Sequence, residues 1–269
     1  MADKSNPGRL VWLWEETPPA SVMDDGFRPW MELYPVQTDQ PRGAVLVCPG
    51  GGYANRAPHE AEPIARRFNA AGLHAFVVHY RVAPHRYPAA LLDAARALRL
   101  IRHHAGEWRV KPDKVAILGF SAGGHLAASV GVYFDEGDPH AEDPAQCPSC
   151  RPDALVLCYP VISSREFAHL GSFRNLLGEN PPQEMLDKLS LELHVGPRTP
   201  PTFLWHTVAD AGVPVENSLL FAQGLRRHGI PFEMHLYPEG RHGLGLAPED
   251  PHVATWMELC CQWLAGMGW

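Results

Sequence analysis

No stretch of this chain is long and apolar enough to span a membrane. Its apolar runs, such as Ala75–Val78 and Ala154–Cys158, are of strand length. The amino terminus Met1-Ala-Asp-Lys-Ser-Asn-Pro-Gly8 lacks the apolar core of a secretory leader, so a soluble, cytoplasmic protein without a membrane partner is expected. Basic clusters are missing too. With 23 Lys and Arg against 30 Asp and Glu, the net charge is −7 and no block of cations is available to neutralise phosphates, which argues against a nucleic-acid partner. Cysteine is sparse, six in 269 residues, too few for a disulfide scaffold, and Cys48 and Cys158 sit in apolar runs where a thiol acts as a small hydrophobe. Cys147-Pro-Ser-Cys150 has redox or zinc spacing, but no second Cys/His pair follows and the segment is Pro-rich. It reads as a plain loop, with an opportunistic disulfide or metal site as the alternative. The G-x-G-x-x-G, G-x-x-x-x-G-K-[ST] and His-Glu-x-x-His patterns are absent, which sets aside nucleotide binding and zinc hydrolysis.

What is present is ordinary globular composition, 45% apolar and 20% charged. Short apolar runs at Ala44–Cys48, His74–His79, Val115–Leu118, Ala154–Tyr159, Thr202–Trp205 and Phe232–Tyr237 predict strands. Between and after them, Glu60–Ala71, Pro88–Arg102, Ser121–Val132, Val215–His228 and His252–Leu264 predict helices. In the second of these, Leu91, Leu92, Ala95, Leu98 and Ile101 recur at helical spacing. Strand and helix in alternation predict an α/β fold with a mostly parallel sheet covered on both faces. Residues 1–40, with Trp12, Trp14 and Trp30 among Pro and Asp, are expected to add one or two antiparallel edge strands to the same domain, and residues 41–269 to form its body. The tryptophans read first as cover for the sheet edge, with pocket walls or sugar-ring contacts as the other readings. The connection Val161–Arg198, with a helix near Gln183–Leu189, has the length of a lid or pocket wall.

The chemistry concentrates at Gly119-Phe-Ser121-Ala-Gly123, a G-x-S-x-G placed between a predicted strand and a predicted helix. Glycines at these positions suit a tight turn that lifts a serine hydroxyl clear of the sheet at a helix amino terminus. A serine attacks a carbonyl only once a base takes its proton, and that base needs an orienting carboxylate. In the order Ser, Asp, His, the loop after Thr202–Trp205 offers Asp210 as the acid and the loop after Phe232–Tyr237 offers His242 as the base. Pro49-Gly50-Gly51-Gly52-Tyr53 follows the strand Ala44–Cys48 and predicts an oxyanion hole from the Gly51 and Gly52 amides together with that of Ala122. Tyr53 and His125 are candidates for lining the pocket, His125 packing at the helix start rather than acting as the base. His59, His85 and His206, near carboxyl strand ends, are further pocket candidates. No cofactor or metal is called for. A histidine base works only when neutral, so activity is expected to rise with pH.

With Pro49-Gly-Gly-Gly-Tyr53, His79-Tyr-Arg-Val82, Gly119-Phe-Ser-Ala-Gly-Gly-His-Leu126, Asp210-x-x-Val213-Pro214 and His242-Gly243 in register from about Gly43 onward, the chain resembles α/β-hydrolase serine esterases of the acetyl-xylan-esterase-like branch. Pro49 stands where the hormone-sensitive-lipase-like pattern opens its oxyanion loop with His, which argues against a lipase and for small polar esters. The resemblance implies an α/β-hydrolase fold with a small loop and helix cap. It also implies removal of acetyl groups from sugar hydroxyls; with no secretion signal evident, the expected substrates are imported oligosaccharides rather than polymeric xylan. An arylformamidase or small peptidase using the same triad on an amide, and a non-catalytic binding module on a hydrolase scaffold, are the alternative readings.

Overall fold

Apolar side chains that alternate between two cores run through the middle strands of a computed structural model that describes residues 9–21 and 26–269. The octapeptide Met1–Gly8, read above for a leader, lies outside them. Eight strands form one sheet: β1 (Arg9–Trp12), β2 (Trp30–Tyr34), β3 (Arg42–Cys48), β4 (His74–His79), β5 (Val110–Phe120), β6 (Ala154–Cys158), β7 (Thr202–Thr207) and β8 (Phe232–Tyr237). Their order is β1-β2-β4-β3-β5-β6-β7-β8. The neighbours from β4 through β8 run parallel, whereas β2 pairs with β4, and β1 with β2, in antiparallel sense, placing Trp12, Trp30 and His79 opposite one another.

The central strands are apolar throughout because both faces are covered. Ala44, Leu46 and Cys48 of β3 join Ile117, Leu157 and Leu204 on one face, while Val45 and Val47 join Leu118, Val156 and Phe203 on the other. The first face is covered by α2 (Ala89–His103), α4 (Ala122–Tyr133) and α7 (Glu216–Arg227), the second by α1 (Glu62–Ala70) and α8 (Trp256–Gly266). Fully burying a side chain such as Leu98 or Phe68 contributes about 1.5–3 kcal/mol, so these stripes hold the helices down.

The described residues also form three shorter α-helices: α3 (Ala105–Trp108), α5 (Leu170–Leu177) and α6 (Gln183–Lys188). Of these, α3 and α5 have no counterpart in the sequence pattern; in α5, Gly171 and Ser172 weaken the helical signal and the cap is a histidine. The tryptophans divide. Trp12 is 46% exposed. Trp30 stacks on His79 with ring centroids 4.3 Å apart. The Trp14 indole donates to Asp93, itself paired with the fully buried Arg81 at 2.8 Å. All six cysteines, Cys147 and Cys150 included, are free thiols. Among the described residues no helix is long and apolar enough to cross a membrane.

Candidate active site

Four loops leave the carboxyl edge of the parallel strands and converge. The first follows β5. Ser121 sits between that strand and α4 with φ +53°, an unusual conformation for a non-glycine residue that turns its side chain out of the sheet. The crossing is so close that a Cβ on Gly119 would lie 1.9 Å from the Gly123 carbonyl oxygen, and one on Gly123 2.1 Å from that of Cys48. The Ser121 amide donates to the Cys158 carbonyl at 3.0 Å, anchoring the turn to the end of β6.

The loops after β7 and β8 bring Asp210 and His242 to this serine. His242 Nε2 lies 2.8 Å from Ser121 Oγ and its Nδ1 2.7 Å from Asp210 Oδ2. An ionised carboxylate can only accept, so Nδ1 carries the ring proton and Nε2 presents its lone pair to the hydroxyl. The Asp210 side chain is fully buried, while that of His242 is 28% exposed. Burial pushes the Asp210 pKa up. Hydrogen bonds from His206 and His242 and from the Val213 N–H outweigh that effect and hold the carboxyl well below the usual range. Asp210 Oδ1 takes the N–H groups of Gly212 and Val213 at 2.8 and 2.9 Å. The carboxylate is therefore fixed in direction as well as charge.

The loop after β3 supplies the amides. The Gly50 N–H is engaged at 2.8 Å by Glu60, whereas those of Gly51 and Gly52 make no hydrogen bond among the described residues. The Ala122 amide opens α4 directly after Ser121, where a helix amino terminus favours negative charge. The arrangement offers a nucleophile, a base with its orienting acid, and backbone donors beside them.

Tyr53 and His125, expected as pocket walls, are instead packed inside, 3% and 1% exposed. The Tyr53 hydroxyl meets His125 Nδ1 at 2.9 Å, and His125 Nε2 reaches the Leu189 carbonyl at 2.9 Å. Both ring nitrogens are thus occupied, and the pair ties the glycine loop to α4 and to the 161–198 segment. Burial lowers the His125 pKa to about 4, so it stays neutral. His206 is likewise interior. It lies in β7, bonded to Ser218 and the Val213 carbonyl, with Nε2 3.4 Å from Asp210 Oδ2. His85 is buried, and only His59 reaches the rim, 3.0 Å from the Gly243 carbonyl.

Two further residues were not signalled by any motif. Glu60 is 2% exposed, and besides the Gly50 N–H it accepts the Tyr159 hydroxyl at 2.6 Å. That hydroxyl in turn accepts the Gly245 N–H at 2.9 Å, and the Tyr159 ring packs edge-on against His242 with centroids 5.1 Å apart. Their only trace in the sequence is polarity at the end of a predicted strand and at the start of a predicted helix. No group of three or more His, Cys, Asp or Glu side chains is placed to hold a metal among the described residues. Beside His242 an open trough of about 680 Å³ is lined by residues including Ala209, Gly212, Glu239 and Arg241.

A mostly parallel eight-stranded sheet with helices on both faces, and with an elbow serine at its carboxyl edge, is the architecture of an α/β hydrolase. Within that class the chain belongs to the BD-FAE family, an α/β-hydrolase esterase family whose model matches residues 31–225. It is 48% identical to the acetyl ester-xyloside bifunctional hydrolase of Caldicellulosiruptor lactoaceticus, with a TM-score of 0.95 over 99% of both chains. It is 41% identical over 88% of its length to endo-1,4-beta-xylanase B of Butyrivibrio fibrisolvens. With the acetylxylan esterase of Xylanibacter ruminicola it shares 29% identity over 92% of its length. The chain spans 38% and 48% of those last two relatives, half their length or less.

Proposed function

We propose that the protein is a serine esterase that removes short acyl groups, acetyl above all, from the hydroxyls of xylo-oligosaccharides or related sugars. The observation that carries this reading is the unbroken relay from Ser121 Oγ through His242 to the buried Asp210, with steps of 2.8 and 2.7 Å. His242 Nε2 takes the Ser121 proton as Oγ bonds the ester carbon, and the amides of Ala122, Gly51 and Gly52 receive the oxyanion. When the tetrahedral adduct collapses, the C–O bond to the sugar breaks and His242 gives its proton to the departing oxygen. Water then repeats the sequence on the acyl-enzyme, releasing the acid and restoring the serine. The reading of the substrate is supported by similarity to proteins named acetylxylan esterase and acetyl ester-xyloside hydrolase. A cytoplasmic site of action, on oligosaccharides rather than polymer, belongs to the same proposal.

The test is hydrolysis of p-nitrophenyl acetate, butyrate and octanoate beside acetylated xylo-oligosaccharide, for the wild type and Ser121→Ala. Acetate is expected to be the fastest p-nitrophenyl ester, and the variant to lose on the order of 10⁴–10⁶ in turnover. A variant with wild-type activity, or a wild type inactive on every ester, refutes the reading.

A further inference from the structure

The segment between β6 and β7 is held by two clamps, one to the start of α7 and one to the glycine loop. On the side of the acid, Asn217 near the start of α7 donates to the Phe167 carbonyl at 2.9 Å and accepts the N–H groups of Ile162 and Ser163 at 2.8 and 2.9 Å. On the side of the glycine loop, Asn175 of α5 donates to the Gly52 carbonyl at 2.9 Å, and a Cβ on Gly52 would lie 3.9 Å from Ser172 Oγ. His169 sits between these clamps in the chain, half-buried, at the amino-terminal cap of α5.

Its ring is fixed in one tautomer. His169 Nδ1 accepts the Ser172 backbone N–H at 3.2 Å and lies 2.8 Å from Ser172 Oγ. A nitrogen that accepts a backbone N–H holds a lone pair, so the proton is on Nε2. Burial and the neighbouring His242 imidazole lower the His169 pKa, with Asp210 opposing them, so the neutral ring that the cap requires is favoured and lies within reach of both groups' charges. The hydrogen bonds of the ring among the described residues are both made at Nδ1, which leaves Nε2–H available to a ligand.

We propose that His169 Nε2–H is a specificity-determining donor, binding a hydroxyl oxygen of the alcohol half of the ester, next to the acylated carbon. The inference rests on the sugar-ester reading above and names how the sugar is recognised. An acetyl group has one acceptor, its carbonyl oxygen, and that oxygen belongs to the amides of Gly51, Gly52 and Ala122. A further fixed donor therefore serves the alcohol. The leaving oxygen must lie at His242 Nε2 to receive its proton, and His169 borders the same site: its Nδ1 lies 2.8 Å from Ser172 Oγ, which would stand 3.9 Å from a Cβ on Gly52 of the oxyanion loop. A vicinal diol or sugar ring supplies the matching acceptor one carbon away, whereas a p-nitrophenol ester has none there.

Two variants separate the donor from the cap. His169→Asn puts an acceptor where Nδ1 stood and keeps the helix cap, but is too short to reach the position of Nε2. His169→Gln loses the cap yet carries an amide N–H close to Nε2. The quantity to measure is kcat/KM on acetylated xylo-oligosaccharide divided by that on p-nitrophenyl acetate. This ratio is expected to fall about tenfold in His169→Asn, the worth of one substrate hydrogen bond, and to recover towards the wild-type value in His169→Gln. The proposal is overturned if His169→Asn keeps the wild-type ratio, if both substrates lose equally, or if the Gln variant falls as far as the Asn variant. A wild type that cleaves p-nitrophenyl acetate but releases no acetate from the oligosaccharide sinks the sugar-ester reading itself. That failure is visible before any His169 variant is made.

Discussion

His125 offers a prediction whose size can be worked out from its surroundings. The ring is enclosed, and burial lowers its pKa from the ordinary 6.5 to about 4. Between these values the unfolded chain binds a proton that the folded chain refuses, so protonation favours unfolding. The contribution is therefore absent above pH 6.5, grows as pH falls towards 4, and levels off below that. At about 1.4 kcal/mol per pKa unit the whole shift is worth about 3 kcal/mol, most of it expressed by pH 4.5. Urea unfolding at pH 7.5 and 4.5 measures it in the wild type and in His125→Gln. The variant will be weaker at both pH values, because Tyr53 and the Leu189 carbonyl lose well-aligned partners. Its loss between the two pH values should nevertheless be smaller than the wild type's by about 2–3 kcal/mol. Other histidines titrate equally in both proteins and drop out of the difference. Equal losses in the two proteins would refute the account of His125 as a ring held neutral by burial.

The acid can be tested through its tautomer control. Asp210→Asn keeps an acceptor for the Gly212 and Val213 N–H groups, but can present an N–H where His242 Nδ1–H now donates, so kcat on p-nitrophenyl acetate should fall about 10⁴-fold with the fold retained. A fall under tenfold would mean that Asp210 does not orient His242. Because the Asp210 pKa is depressed, its ionised form stabilises the fold above the ordinary carboxylate range, and that stability is lost as pH falls through the lower folded value. Acid unfolding below pH 4 should therefore be shallower in Asp210→Asn than in the wild type. For Glu60→Gln, one of the two hydrogen bonds from the Gly50 N–H and the Tyr159 hydroxyl must be lost, since the amide has a single oxygen. The expected outcome is a loss of about 1–3 kcal/mol in urea unfolding, together with a lower kcat at little-changed KM. Unaltered stability would rule out Glu60 as the brace of the glycine loop.

The candidate site was legible in proportion to how local its causes are. Ser121 follows directly on a strand, Asp210 lies three residues and His242 five residues past one, and each has a Gly within two positions, so a strand signal and a turn signal place them without tertiary information. The preference for Gly51 and Gly52 over Gly50 drew on the same local logic, and the structure adds that Glu60 occupies the Gly50 amide. Glu60, ten residues from Gly50 and 99 from Tyr159, has no local signature, because the reason for its burial exists only once three loops have met. His206 misled for the opposite reason. It stands near a strand's carboxyl end, as a pocket residue would, yet the strand continues to Thr207 and keeps its ring inside. Helix α5 was missed because its stability comes from Phe173 and Leu176 in the core and from Asn175 on Gly52, rather than from helix propensity.

These misses share a physical cause that bears on how the site works. Each loop of the candidate site follows a different strand, and strands alone would leave the loops free to move relative to one another. The groups that join them are buried and polar. Glu60 and Tyr159 link the glycine loop to Gly245, three residues beyond His242. Tyr53 and His125 link that loop to α4 and Leu189. His206 buttresses Asp210 from within β7. An unpaired buried polar group costs about 1–3 kcal/mol, so each link penalises the displacement that would break it. The relay of 2.8 and 2.7 Å therefore depends on residues buried beneath it, and loosening any one link should reach turnover before it reaches the fold.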